Sequence, residues 1–145
     1  MLAKIFGDSC EGSFVDVGAH HPTRFSNTYL FYLRGWRGIN IDPLPGSRAE
    51  FERIRPNDIN LELAVGDSPT PLVYHLFNEP ALNGFDAKLS KSRDGLRGYR
   101  IVRKIEVPVR PLQSILAEYL PVGRDIDFLT VDVEGLDLSV LRSND

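Results

Sequence analysis

The sequence predicts an α/β domain with a mostly parallel sheet and flanking helices, and three observations predict it. Short apolar segments alternate with amphipathic ones in the order strand, helix, strand, helix, strand across the first half of the chain. Three apolar segments along the chain finish on or next to an acid: Asp16, Asp42 and Asp132. The first of them, Phe14 to Val17, runs straight into the turn Gly18-Ala19-His20-His21-Pro22. The 145 residues suffice for one sizeable core, so residues 1–145 read as a single domain.

A short lead-in helix is expected around Leu2 to Phe6. Phe14 to Val17 is apolar apart from Asp16, as a strand covered on both faces should be. Ser26 is a plausible N-cap for a helix through Leu33, with Tyr29, Leu30 and Leu33 as its apolar stripe and Gly35 as its stop. Arg37 to Asp42 reads as a second strand. Pro45 suits the first turn of a helix over about Gly46 to Ile54, which Pro56 ends. Ile59 to Val65 alternates as a third strand, with Gly66-Asp67 as its turn. That alternation implies a parallel sheet with right-handed crossovers.

The pattern then changes. Leu72 to Phe77 is a strand with no helix before it, and it pairs best with the alternating run Ile101 to Val109 as an antiparallel hairpin. Asn78 to Tyr99 between them reads as a long irregular insertion, a type that is commonly functional or disordered. Pro111 opens a helix through Leu120 with Leu112, Ile115, Leu116 and Tyr119 on one face. Asp127 to Asp132 is the next buried strand, followed by Val133-Glu134-Gly135 and a helix from Leu136 to Leu141.

Composition narrows the function classes. Hydrophobic residues make up 42% and charged residues 26%, ordinary for a globular domain. No apolar run approaches the ~20 residues needed to span a bilayer, so no membrane association is expected. The N-terminus has no signal-peptide pattern, and Cys10 is the only cysteine, which points to a reducing, cytoplasmic setting. A net charge of -3 argues against nucleic-acid binding. Between Lys88 and Lys104, however, seven basic residues stand with one acid, Asp94, so this segment is +6 and the remainder -9. A solvated loop and a docking surface for an anionic substrate both fit that run.

Ligands of open parallel α/β sheets sit beyond the carboxyl ends of the strands. Any one acid there is explained by capping the following helix, but three at one edge argue for a site. Asp42 stands 24 residues after Gly18, placed to accept from ribose hydroxyls. A dinucleotide site wants several glycines so that backbone can approach a pyrophosphate. This turn has one glycine and then two histidines, which suits a phosphate-free adenosyl ligand, S-adenosylmethionine, with the single glycine letting its methionine portion pass.

Four stretches together resemble the FkbM family of methyltransferases: Phe14-Val15-Asp16-Val17-Gly18-Ala19-His20, Ser26-Asn27-Thr28-Tyr29, Gly35 to Pro43, and Phe128 to Gly135. The resemblance implies a Rossmann-like class I fold that uses S-adenosylmethionine, with O-methylation of a sugar or natural-product hydroxyl as the expected activity. It implies that Asp16, Gly18 and Ala19 line the methionine part and that His20 lies beside the cofactor. It places Asp42 on the ribose, the turn with Asp67 near adenine, and Asp132 and Glu134 at the transfer site. His20, His21, Asp132 and Glu134 are candidate bases for the acceptor hydroxyl, and Asp132 is also a candidate for stabilising a sulfonium. No metal-ligand spacing is diagnostic.

Relative to that family the chain is expected to be truncated after its fourth core strand. In the strand order such folds use, 3-2-1-4, Phe128 to Val131 then forms an edge. The expectation is a homodimer through that edge, strand exchange or poor solubility. The partner otherwise expected is a small-molecule or saccharide acceptor, anionic if the basic segment docks it. The alternative reading is a non-catalytic nucleotide-binding or interaction remnant of such a domain.

Overall fold

A computed structural model describes residues 2–7, 9–68 and 70–144. Its centre is a four-stranded, wholly parallel sheet of β1 (Ser13–Val17), β2 (Arg37–Ile41), β3 (Ile59–Leu61) and β8 (Phe128–Val131), in the order β3-β2-β1-β8. This is the 3-2-1-4 order, and the fold is Rossmann-like. Helices α1 (Leu2–Ile5), α2 (Tyr29–Leu33) and α3 (Ser47–Ile54) belong to the first half, α5 (Leu112–Tyr119) and α6 (Asp137–Arg142) to the second. Between the halves lie the short strands β4 (Ala64–Val65) and β7 (Val109–Arg110), which pair in parallel, and the antiparallel hairpin of β5 (Leu72–Phe77) and β6 (Ile101–Val107). Helix α4 (Ala87–Arg93) sits inside that hairpin.

Alternation along β1 divides the core. Val15 and Val17 join Ile39, Ile41, Leu112, Ile115 and Val140 on the face covered by α5 and α6. Phe14 joins Phe31, Trp36 and Phe128 on the other face. Each fully buried aliphatic side chain contributes about 1.5–3 kcal/mol, so the two clusters fix which side of each strand faces which helix. A third cluster, Ala64, Tyr74, Val107 and Val109, lies under the hairpin.

Several expectations change. In α2, Leu30 and Leu33 are 46% and 64% exposed, while Phe31, outside the expected stripe, is 2% exposed. The helix is short, and one large ring against Trp36 is enough to dock it. The N-cap is Thr28, not Ser26, and it makes no side-chain cap. Ser26, two residues earlier, still accepts from Thr28 and Tyr29 N–H through its hydroxyl, and Gly35 ends the helix with φ 104°. Helix α3 starts one residue after the left-handed Gly46, beyond Pro45.

Residues 59–65 do not form one strand. The Glu62 carboxylate accepts from the Gly46 and Arg48 N–H groups at the start of α3, which favours negative charge there. The chain bends at that point, and Ala64–Val65 leaves the main sheet to pair with β7. The insertion 78–99 is ordered, not irregular: Asp86 caps α4 by accepting from Lys88 and Leu89 N–H, with 3-10 turns at Pro80–Leu82 and Leu96–Gly98. Pro108 separates β6 from β7. No helix of the described residues is long and apolar enough to cross a membrane.

Candidate functional site

The carboxyl ends of β1, β2 and β8 converge. Gly18 and Ala19 N–H both donate to the Ile41 carbonyl, and Asp132 N–H donates to the Val17 carbonyl. These bonds gather the three strand ends around one cleft of about 220 Å³. Asp16, Gly18, Ala19, His20, Asp42, Asp132 and Glu134 all line it. So seven sequence-predicted residues, taken from three separate stretches of chain, lie together.

Asp16 is on the floor, 2% exposed, with Oδ2 accepting from the Thr28 hydroxyl at 2.7 Å. Burial raises its carboxyl to about 6, against the opposing effects of the Thr28 bond and the Arg55 charge. Asp42 is also buried, and burial pushes its carboxyl up while two backbone donors pull it down. Those donors are His20 N–H to Oδ2 at 2.8 Å and Leu44 N–H to Oδ1 at 2.9 Å. Each oxygen keeps a second lone pair, so the carboxylate is held in place and still able to accept. Asp132 and Glu134 stand exposed at the mouth, Glu134 with a left-handed φ of 50°.

His20 lines the cleft and holds a left-handed φ of 56°. His21 is turned to a different task. Its Nδ1 accepts from Thr23 and Arg24 N–H at 3.0 and 2.9 Å, which leaves the ring proton on Nε2, 3.4 Å from Glu50. It is absent from the cleft lining and braces the following turn.

Asp67 stands apart. Its carboxylate accepts from the Ser139 hydroxyl at 2.6 Å and its N–H donates back to Ser139 Oγ at 3.1 Å. The bend at Glu62 carries the turn after β4 to the start of α6, so Asp67 ties two elements together outside the cleft. Gly18, itself part of the lining, is also required by the fold. Its φ is +81°, and a Cβ there would lie 2.1 Å from the Asp132 carbonyl oxygen. Glycine is needed because β1 and β8 close on each other.

Three aromatic walls went unread in the sequence: Phe25, Tyr74 and Phe85. Phe25 is 82% exposed at the rim with φ 56°. Tyr74 and Phe85 pack at 4.6 Å between centroids, and burial raises the Tyr74 phenol well above its ordinary value, with the Asp42 charge adding to it. Tyr74 lies on β5, and the hairpin brings it into the same cleft lining as Asp42.

Also unread was a polar row across the sheet. Strand register sets Asn60 beside Asn40, Asn40 beside Asp16, and Asp16 beside Thr130. Asn40 Nδ2 donates to Asn60 Oδ1 at 2.9 Å and to Asp58 Oδ2 at 3.1 Å. Each strand carries one polar residue between apolar ones, a signal visible in the sequence once the register is known.

The cleft lining holds four carboxylates and no lysine or arginine. It therefore suits hydroxyl donors and positive charge and repels phosphate. Of the basic segment, Arg93 reaches the mouth, 3.3 Å from Glu134; Lys88, Lys91, Arg97, Arg100, Arg103 and Lys104 are exposed on α4, the second 3-10 turn and the hairpin. The family model of the methyltransferase FkbM domain matches residues 16–145. Comparisons with curated proteins and with solved structures give no match.

Proposed function

Because the chain belongs to the FkbM methyltransferase family, we propose that its cleft binds S-adenosylmethionine and serves transfer of the methyl group to a hydroxyl of a sugar or natural product. Family membership makes it a methyltransferase domain in general terms; the cofactor, the acceptor and the residue roles are inferred. The observation that carries the inference is a cleft with Asp16, Asp42, Asp132 and Glu134 in its lining and no basic side chain.

The residues present fit the cofactor. Asp42, buried and pinned by two N–H groups, accepts from the ribose hydroxyls. Asp16 and Asp132 favour the positive charge of a sulfonium or an ammonium. Phe25, Tyr74 and Phe85 offer flat faces to an adenine or to the acceptor. The bound cofactor supplies a methyl group on cationic sulfur, so the protein needs to orient the acceptor and accept its proton. His20, Asp132 and Glu134 are the groups at hand for that proton. Arg93, held over the mouth by Glu134, is placed to meet a carboxylate or phosphate on the acceptor.

Isothermal titration of the purified chain with S-adenosylmethionine and with NAD tests this reading. Saturable binding of the first and none of the second is expected. A folded chain that binds neither, or prefers NAD, overturns it.

A further inference from the structure

We propose that Thr28 and Arg55 are positioning residues of the cleft, forming a one-way hydrogen-bond relay that holds the Asp16 carboxylate as an acceptor for a cationic ligand. The proposal rests on the cofactor reading above for the ligand, and on geometry for the relay.

Thr28 and Arg55 are both fully buried, behind the cleft floor. Arg55 Nη1 lies 3.0 Å from Thr28 Oγ1. A guanidinium has only donors and stays protonated, so it can only donate into that oxygen. The single hydroxyl proton of Thr28 must then go elsewhere, and Asp16 Oδ2 at 2.7 Å is a far better acceptor than Ser26 Oγ at 3.4 Å. With Asp16 ionised, the direction of both bonds is thereby fixed. No other hydrogen bond engages the Asp16 carboxylate among the described residues, so its remaining lone pairs face the cleft.

Arg55 itself is immobilised. Its Nε and Nη2 lie 2.9 and 2.8 Å from Asp58 Oδ2, and Asp58 also accepts from Gly38 N–H and Asn40 Nδ2. The rings of Phe14, Tyr32 and Phe51 surround the guanidinium at 5.4, 5.2 and 5.6 Å. Nη1 also reaches the Ser26 hydroxyl at 3.4 Å, and a buried charge held from every side is costly to move.

The charged groups that face Asp16 are Arg55 through Thr28, Asp42 at the end of β2 and Asp132 after β8, with His20 and Glu134 in the same cleft lining. Burial and the two aspartates favour the neutral acid, while Thr28 and Arg55 oppose them. Without the relay, Asp16 would hold its proton further into the neutral range and offer a cationic ligand less.

Two measurements on the intact chain test this: NMR titration of the Asp16 side-chain carboxyl in the free protein, and calorimetric binding of S-adenosylmethionine from pH 5 to 8. For Thr28→Val the titration midpoint is expected to rise by about one pH unit, and Thr28→Ser is expected to restore it. Binding to Thr28→Val is expected to weaken about threefold at pH 6.5 and to recover by pH 8. A folded Thr28→Val protein with an unchanged midpoint overturns the relay. Should that variant not fold, the wild-type Thr28 hydroxyl proton is read instead. Its chemical shift should follow the Asp16 titration, and a shift independent of pH overturns the relay equally. Wild-type protein that binds no S-adenosylmethionine while the relay signature persists overturns the cofactor reading and, with it, the assigned role.

Discussion

The His20 backbone N–H donates to the Asp42 carboxylate at 2.8 Å, which ties the turn after β1 to the end of β2. One acid thus organises the cleft and remains able to bind. Asp42→Ala removes both functions. It leaves the His20 and Leu44 N–H groups without their acceptor, at a cost of about 1–3 kcal/mol. We expect S-adenosylmethionine binding to be lost in calorimetry and the denaturation midpoint to fall.

Asp16 makes stability depend on pH. Its carboxyl is raised from 3.8 to about 6 in the folded state, chiefly by burial. Between those values the folded protein keeps a proton that the unfolded chain has released. Stability therefore falls as pH rises across that window, by about 3 kcal/mol in all, and is flat above it as far as this group is concerned. Denaturation at pH 4, 5, 6 and 7 should show the slope in the wild type and its reduction in Asp16→Asn. An identical slope in both proteins would assign it to other groups.

Gly18→Ala is expected to destabilise by more than about 2 kcal/mol, because it combines left-handed strain with overlap against backbone. The added carbon would meet the Asp132 carbonyl at 2.1 Å, so β1 and β8 would have to part. Chemical denaturation measures the loss; a change within error would show that the turn has room to relax.

Arg55→Met leaves Asp58 as a buried carboxylate without its cation. A loss of about 3–5 kcal/mol is expected, measured by urea titration of the wild type and the variant side by side.

If the acceptor is anionic, Arg93→Ala is expected to raise its KM about tenfold. The dissociation constant of S-adenosylmethionine should stay within about twofold, since Arg93 contacts the mouth through Glu134 and not the cleft floor. Steady-state kinetics with charged and neutral acceptors separates the two effects.

The parts legible in the sequence were those set by short-range pattern. The apolar runs of β1, β2 and β8, the alternation of β6, and the one-sided face of α5 follow from which residues avoid water. Asp16, Asp42 and Asp132 could be grouped because parallel strands place their carboxyl ends together. What escaped depends on partners far along the chain. Glu62 bends the third strand because it meets the start of α3, and Asp67 lies elsewhere because Ser139 holds it, 72 residues on. Arg55, Thr28 and the polar row need the strand register before they form a set. Helix α4 hid in a polar, basic stretch with few apolar residues, where Asp86 capping outweighs a weak stripe.

The β5–β6 hairpin rests on its own cluster of Tyr74, Val107, Val109 and Ala64, separate from the two that anchor the main sheet. It nevertheless supplies Tyr74, Asn83, Gly84 and Phe85 to one side of the cleft. Because that side stands on packing of its own, a substitution there reshapes the opening without touching the hydrogen bonds that hold Asp16 and Asp42.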